Sequence, residues 1–244
     1  MSFVRPFLAL AFFATSCGPR PDPAASILLF TGVGTSPGDV SALEDVLARE
    51  RLAYVTVSSA QLDGMPTARL RAYRLLIVPG GNFVTIGNSV TAAGAANVRA
   101  AVESGLNYLG ICAGAFWAGN SPYNGLNLTS GVRFPFYSAE TRGIHEAAVP
   151  VADTDGVTLD QYWEDGPALS GWGAAVARYP DGTPAIAQGS YGAGFVLLAG
   201  VHPEAPQSWR RGLSFTTPVS VSRAYAAKLI RAALSGTQLP SDRK

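Results

Sequence analysis

Charge is scarce in this chain: 14% of its 244 residues are Asp, Glu, Lys or Arg, with 18 basic residues against 17 acidic. That balance leaves no basic footprint for nucleic acid. A hydrophobic share of 48% excludes a disordered chain and supplies one sizeable core. Cysteine occurs twice, at Cys17 and Cys112, so at most one disulfide can form. Histidine also occurs twice, at His145 and His202, which narrows the choice of general base. The loop Gly32-Val-Gly34 lacks the third glycine of a dinucleotide fingerprint. No cofactor and no metal are expected. Repeats and a second domain are absent as well.

What is present begins with a targeting pattern. Met1 to Ser16 carries one cation, Arg5, then an apolar run from Phe7 to Ala14 and the small residues Thr15 and Ser16. Residues 1–16 therefore read as an export signal, too short to span a bilayer as a stable helix. Ala14-Thr15-Ser16-Cys17 resembles the lipobox of bacterial lipoprotein signals, with Ala14 where leucine is usual. The resemblance implies cleavage before Cys17 and lipidation of that cysteine, leaving Cys112 as the free thiol; an ordinary cleaved signal is the alternative. Residues 17–26 are Pro-rich, an extended tether to an envelope membrane. A domain is expected over 27–236 and a flexible polar tail over 237–244.

Apolar runs without alternation at Ser26–Phe30, Ala53–Val57, Leu75–Val78 and Tyr108–Ile111 suit parallel strands buried on both faces. Helical spacing separates them: Val40, Leu43, Val46 and Leu47 in Pro37–Arg51, then Thr67–Tyr73 and a longer helix over Val90–Ser104. The order is that of a doubly wound α/β domain. Beyond Gly119 the pattern turns strand-like at 132–137, 147–152 and 174–179, with Asp153–Pro167 read as a loop. Tyr179-Pro-Asp-Gly-Thr-Pro184 is a turn, Pro184–Tyr191 and Phe195–Val201 an antiparallel pair, and Pro218–Leu234 a closing amphipathic helix.

The chemistry concentrates in two stretches. In Asn107-Tyr-Leu-Gly-Ile-Cys112-Ala-Gly-Ala-Phe-Trp-Ala-Gly119, Gly110 and Gly114 flank Cys112 at minus two and plus two. That is the spacing of a nucleophile elbow, where side chains at the flanking places would strike the strand and the helix. The sulfur then stands at a helix N-terminus, where amide N–H groups and the helix dipole favour an anion. A buried structural cysteine is the bland alternative. In His202-Pro203-Glu204 the proline favours extended backbone, so His202 and Glu204 project to one face and the carboxylate can orient the imidazole. His145 lacks such a frame. Backbone N–H groups after Val78-Pro-Gly80-Gly81, together with that of Ala113, can hold an oxyanion.

These stretches together resemble the class I glutamine amidotransferase-like superfamily, and within it the biotin–protein ligase N-terminal domain in its stand-alone bacterial form. The resemblance spans roughly Ile27 to Leu234 and is sharp at the three motifs. It implies a three-layer, mostly parallel flavodoxin-like sheet with an antiparallel C-terminal portion. It also implies Cys112 as nucleophile, His202 as base, Glu204 as orienter and Gly80, Gly81 and Ala113 as the oxyanion hole. Asp165-Gly-Pro167 answers loosely to a substrate loop of that family.

The chain ends before any ligase domain, so biotin transfer does not carry over. Export argues against feeding ammonia to ATP-using partners. The expectation is an exported, lipid-anchored cysteine hydrolase acting on a small-molecule or peptide amide, bound to the membrane through its lipid alone. The rivals are a non-catalytic envelope binding module with the same pocket, and a redox or aldehyde-detoxifying protein. The superfamily's peptidase-like branch places histidine after its nucleophile, where this chain has Ala113.

Overall fold

The computed structural model describes residues 25–137 and 142–242. The expected export signal, Cys17, and all but the last two residues of the expected tether lie outside the described residues. Among the described residues no helix is long and apolar enough to cross a membrane.

One nine-stranded sheet organises the chain, in the order β2-β1-β3-β4-β9-β8-β7-β5-β6. Its first half is parallel: β1 (Ile27–Phe30), β2 (Tyr54–Val57), β3 (Leu75–Val78) and β4 (Asn107–Ile111), with β9 (Gly194–Ala199) joining β4. The second half is antiparallel: β8 (Pro184–Tyr191), β7 (Ala174–Arg178), β5 (Glu146–Asp153) and β6 (Thr158–Glu164). The expected mostly parallel sheet is thus corrected to a mixed one. From β5 to β9 no helical crossover intervenes, and the short turns joining β5 to β6, β7 to β8 and β8 to β9 can join only antiparallel neighbours.

Alternate residues of the central strands feed two cores. Ile27, Leu29, Ile77 and Leu109 pack with α1 (Pro37–Arg49) and α7 (Val219–Ser235) on one face. Leu28, Phe30, Leu76, Val78 and Tyr108 pack on the other face with α5 (Ala92–Glu103) and α6 (Ala113–Ala118). Each such leucine or isoleucine, fully buried, contributes about 1.5–3 kcal/mol of transfer free energy. Helices therefore cover both faces of the parallel half, which explains why its strands read as continuous apolar runs.

Several local expectations need correction. The segment Asp153–Pro167 is not a loop, because Thr158–Glu164 forms the edge strand β6. Its Gln161, Tyr162 and Trp163 are all buried in succession, so no clean alternation marked it. Val132–Tyr137 is not a strand; its only pairing is a single bridge, Phe136 with Pro167. A short α2 (Ser59–Asp63) was missed although Ser58 and Gln61 form a capping box. The short α3 is Thr67–Leu70, and an additional α4 (Phe83–Asn88) starts where the Asn82 side chain accepts from Thr85 N–H at 2.9 Å.

The described part of the tail is not free. Gln188 Nε2 donates to the Leu239 carbonyl at 2.7 Å, and Leu239 N–H donates to Gln188 Oε1 at 2.9 Å. Asp242 pairs with Arg178. The tail thus closes over β7 and β8 rather than fraying.

Candidate active site

Parallel pairing of β4 with β9 sets Ile111 beside Ala199, so the residues after both strands emerge at the same sheet edge. Cys112 follows the first strand and His202 the second. The backbone N–H of Cys112 donates to Ala199 O at 2.7 Å, tying the turn to the neighbouring strand.

Cys112 has φ 48° and ψ −104°, left-handed geometry that costs a non-glycine residue about 1–3 kcal/mol. Its neighbours show why the turn needs glycine. A Cβ on Gly114 would lie 2.1 Å from Val78 O, and one on Gly110 would lie 2.6 Å from the Gly114 carbonyl. The sharp strand-to-helix reversal leaves Cys112 free and almost buried, with Sγ donating to Glu164 O at 3.4 Å.

His202 is held on several sides. Its backbone N–H donates to Tyr162 O at 2.8 Å, and the rings of Tyr162 and Trp209 stand edge-on to the imidazole, 5.9 and 5.8 Å away. Nδ1 lies 2.9 Å from Glu204 Oε1 and equally 2.9 Å from Asp39 Oδ1. Only the contact with Glu204 meets hydrogen-bond geometry. Asp39 Oδ1 is a buried oxygen without a hydrogen-bond donor, held by charge.

Asp39 is the residue that the sequence reading missed. It occupies the first turn of α1, capped by Ser36, and lies on the buried stripe with Leu43, Val46 and Leu47. A carboxylate four places before Leu43 on that stripe was the available signal, since a buried charge requires a partner.

Three buried titratable groups in contact divide the charge unequally. Burial would lower His202, but Asp39, Cys112 and Glu204 together raise it well above its ordinary 6.5. Burial would raise Asp39, yet the His202 charge holds it below 3.8. Glu204, wholly enclosed, is raised by burial above 4.5 despite His202. Asp39 is thus the carboxylate whose charge faces the imidazole, and Glu204 the carboxyl that burial pushes toward its neutral form. The ligand-type atoms of Asp39, His202 and Glu204 also lie within 4.8 Å of one another, the spacing of a cation site.

Cys112, His202, Asp39 and Gly81 open on one cavity of about 270 Å³, together with Asn82, Phe83 and Asp165. Gly81, at φ +137°, faces that cavity, and Ala113 opens α6, where a first-turn N–H has no intrahelical acceptor. Gly80 has a different place from the expected oxyanion donor. Its α-carbon packs behind the imidazole, where a Cβ would lie 2.3 Å from Asp39 Oδ1 and 2.6 Å from His202 Cε1. His145 is exposed at the mouth, its Nδ1 3.0 Å from Asp165 Oδ1. Trp163 is core, Trp209 backs His202, and Trp172 lines a separate groove.

A cysteine on a strained turn and a buried histidine thus share one cavity in an α/β domain with a large mixed sheet. Comparison supports the fold: a crystal structure titled glutamine amidotransferase matches with TM-score 0.59 and 21% identity, covering 87% of this chain and 100% of that one. PurLQS from Thermotoga maritima matches with TM-score 0.56 and 14% identity, over 85% of this chain and 99% of that one. A GH42 beta-galactosidase from G. stearothermophilus matches with TM-score 0.54 and 13% identity; 87% of this chain covers 30% of it. In sequence, residues 25–129 match the family described as Biotin-protein ligase, N terminal, which bears out the resemblance carried by the motifs. That match includes Asp39, Gly81 and Cys112 and stops short of His202. No curated protein matches the chain.

Proposed function

We propose that this chain is a cysteine-dependent hydrolase of carbon–nitrogen bonds, exported and anchored to the cell envelope through lipid on Cys17. The observation that carries the reading is the convergence of strained Cys112 and buried, carboxylate-held His202 on one cavity. In the reaction the Cys112 thiol passes its proton to His202 Nε2 as the sulfur attacks the amide carbonyl, and the new oxyanion takes hydrogen bonds from the Gly81 and Ala113 N–H groups. Collapse breaks the C–N bond, and the imidazolium of His202 gives its Nε2 proton to the departing amine. Water, deprotonated by the now neutral imidazole, then resolves the thioester to a carboxylic acid and restores the thiol. Asp39 supplies the counter-charge for the imidazolium, while Glu204 accepts from Nδ1–H and fixes the ring.

A second reading, a binding module without turnover, is favoured by one observation. The hydrogen bond of Cys112 Sγ runs to Glu164 O and not to His202. Catalytic hydrogen bonds often tighten only with substrate bound. Alkylation with iodoacetamide separates the two readings. The hydrolase reading expects Cys112 to react at pH 7 at least about tenfold faster than a model thiol, as an activated cysteine does. It also expects Cys112→Ala to lose all amide-hydrolysing activity. Labelling at the rate of a model thiol would leave the binding module.

A further inference from the structure

The cavity at Cys112 continues past its aromatic wall. Phe83, Phe116 and Phe136 line it and also line an outer groove of about 500 Å³. Their rings form one surface: Phe83 stacks on Phe116 at 4.7 Å, and Phe136 lies 4.9 Å from Phe116 and 6.2 Å from Phe83. Phe136 is 40% exposed, one of the few large apolar side chains left open to solvent.

This wall is fixed in place. Tyr137 N–H donates to Gly166 O at 2.9 Å, and Ala168 N–H donates to Pro135 O at 2.9 Å. The segment carrying Phe136 is therefore clamped to the loop that brings Asp165 to the cavity. Phe83 and Phe116 come from two helices that start beside Gly81 and Cys112, so the rings begin where an acyl group would be held. A held-open apolar surface continuous with a reactive cavity is the form of a binding subsite.

Asn82, Glu164 and Asp165 line the inner cavity, and Ser121 and Arg133 line the outer groove, while the wall shared between the two carries only rings. A carboxamide side chain such as that of glutamine would meet those rings with its hydrogen-bonding groups unmatched, whereas a phenyl ring would stack on them.

We propose that Phe83, Phe116 and Phe136 form a subsite for an aromatic side chain next to the scissile carbonyl. The substrates are then amides or peptides of aromatic amino acids cleaved at that carbonyl. This rests on the hydrolase reading of Cys112 and adds the acyl side chain that the enzyme selects.

Two chloromethyl ketones with the same warhead test it on the purified chain, one built on N-acetylphenylalanine and one on N-acetylalanine. In each the Cys112 sulfur forms a bond to the methylene carbon and chloride leaves, so intact mass counts the adduct. The phenylalanine probe is expected to label Cys112 at least about tenfold faster, and Phe136→Ala to bring that ratio below about threefold. Phe136 is exposed, so its replacement leaves the core intact; Phe83→Leu, which keeps the helix start apolar, serves as a second variant with the same expected fall. A ratio near one in the unaltered chain, with Cys112 still labelled readily by iodoacetamide, overturns the aromatic subsite and spares the hydrolase reading. Labelling by every reagent at the rate of a model thiol overturns both.

Discussion

Replacing Asp39 with asparagine asks which carboxylate carries the charge beside His202. Both stand 2.9 Å from Nδ1 and all three side chains are buried. Nδ1 has a single hydrogen, and its geometry directs that hydrogen to Glu204. Asp39 therefore acts as a counter-ion and Glu204 as an acceptor. Asp39→Asn leaves a buried imidazolium without its charge partner, a change that costs about 3–5 kcal/mol when one member of a buried pair is removed. For a domain of this size that lowers the melting temperature by about 6–20 °C. Glu204→Gln keeps the accepting oxygen and resembles the protonated acid that burial favours. Its cost is about 1 kcal/mol, that of a perturbed hydrogen bond. Urea denaturation followed by circular dichroism at pH 7 measures both. The alkylation rate of Cys112 against pH adds a readout that packing alone does not move. Its arm assigned to His202 should shift to lower pH in Asp39→Asn and little in Glu204→Gln. Should Glu204→Gln prove the costlier and shift the profile more, the charge assignment is reversed and Asp39 is the bystander.

Stability against pH should follow the same cluster. His202 is raised above 6.5, so its contribution is complete below that value and disappears as pH climbs through the higher folded value. Glu204, raised above 4.5, works in the same sense; Asp39, lowered below 3.8, contributes above that value and loses its share as acid passes the folded value. Urea midpoints should be highest at about pH 4–5 and fall toward pH 9, with His202→Gln flattening the alkaline side; a midpoint still rising at pH 9 contradicts this. At the elbow, Gly114→Ala places a methyl 2.1 Å from Val78 O. It should cost about 1–3 kcal/mol or more as overpacking against backbone, and a loss under about 0.5 kcal/mol would mean the turn can relax.

Much of the parallel half was legible because its signals are local. Ile27–Phe30, Leu75–Val78 and Asn107–Ile111 are unbroken apolar runs, and burial on both faces requires that pattern. Gly110 and Gly114 were readable because a steric demand two residues either side of a turn leaves its trace in sequence. The edge strand β6 was not, since it buries three successive residues, with Tyr162 against Trp209 and Trp163 against Tyr137, and so breaks strand alternation. The antiparallel pairing of β8 with β9 was legible from the turn between them, but the extent of antiparallel pairing beyond it was not, and neither the length nor the composition of β9 states that it pairs parallel to β4 on its other side.

Chain order alone determined the reactive turn, the histidine with its adjacent acid, and the alternation of apolar strands with helices, because each depends on contacts between near neighbours. Tertiary structure alone decided that Asp39 joins His202 from 163 positions away, that Gly80 backs the ring, and that three phenylalanines from separate segments share one wall. Those relations depend on which strand ends meet at the sheet edge. A buried charge or an exposed ring finds its meaning only in what the fold brings against it.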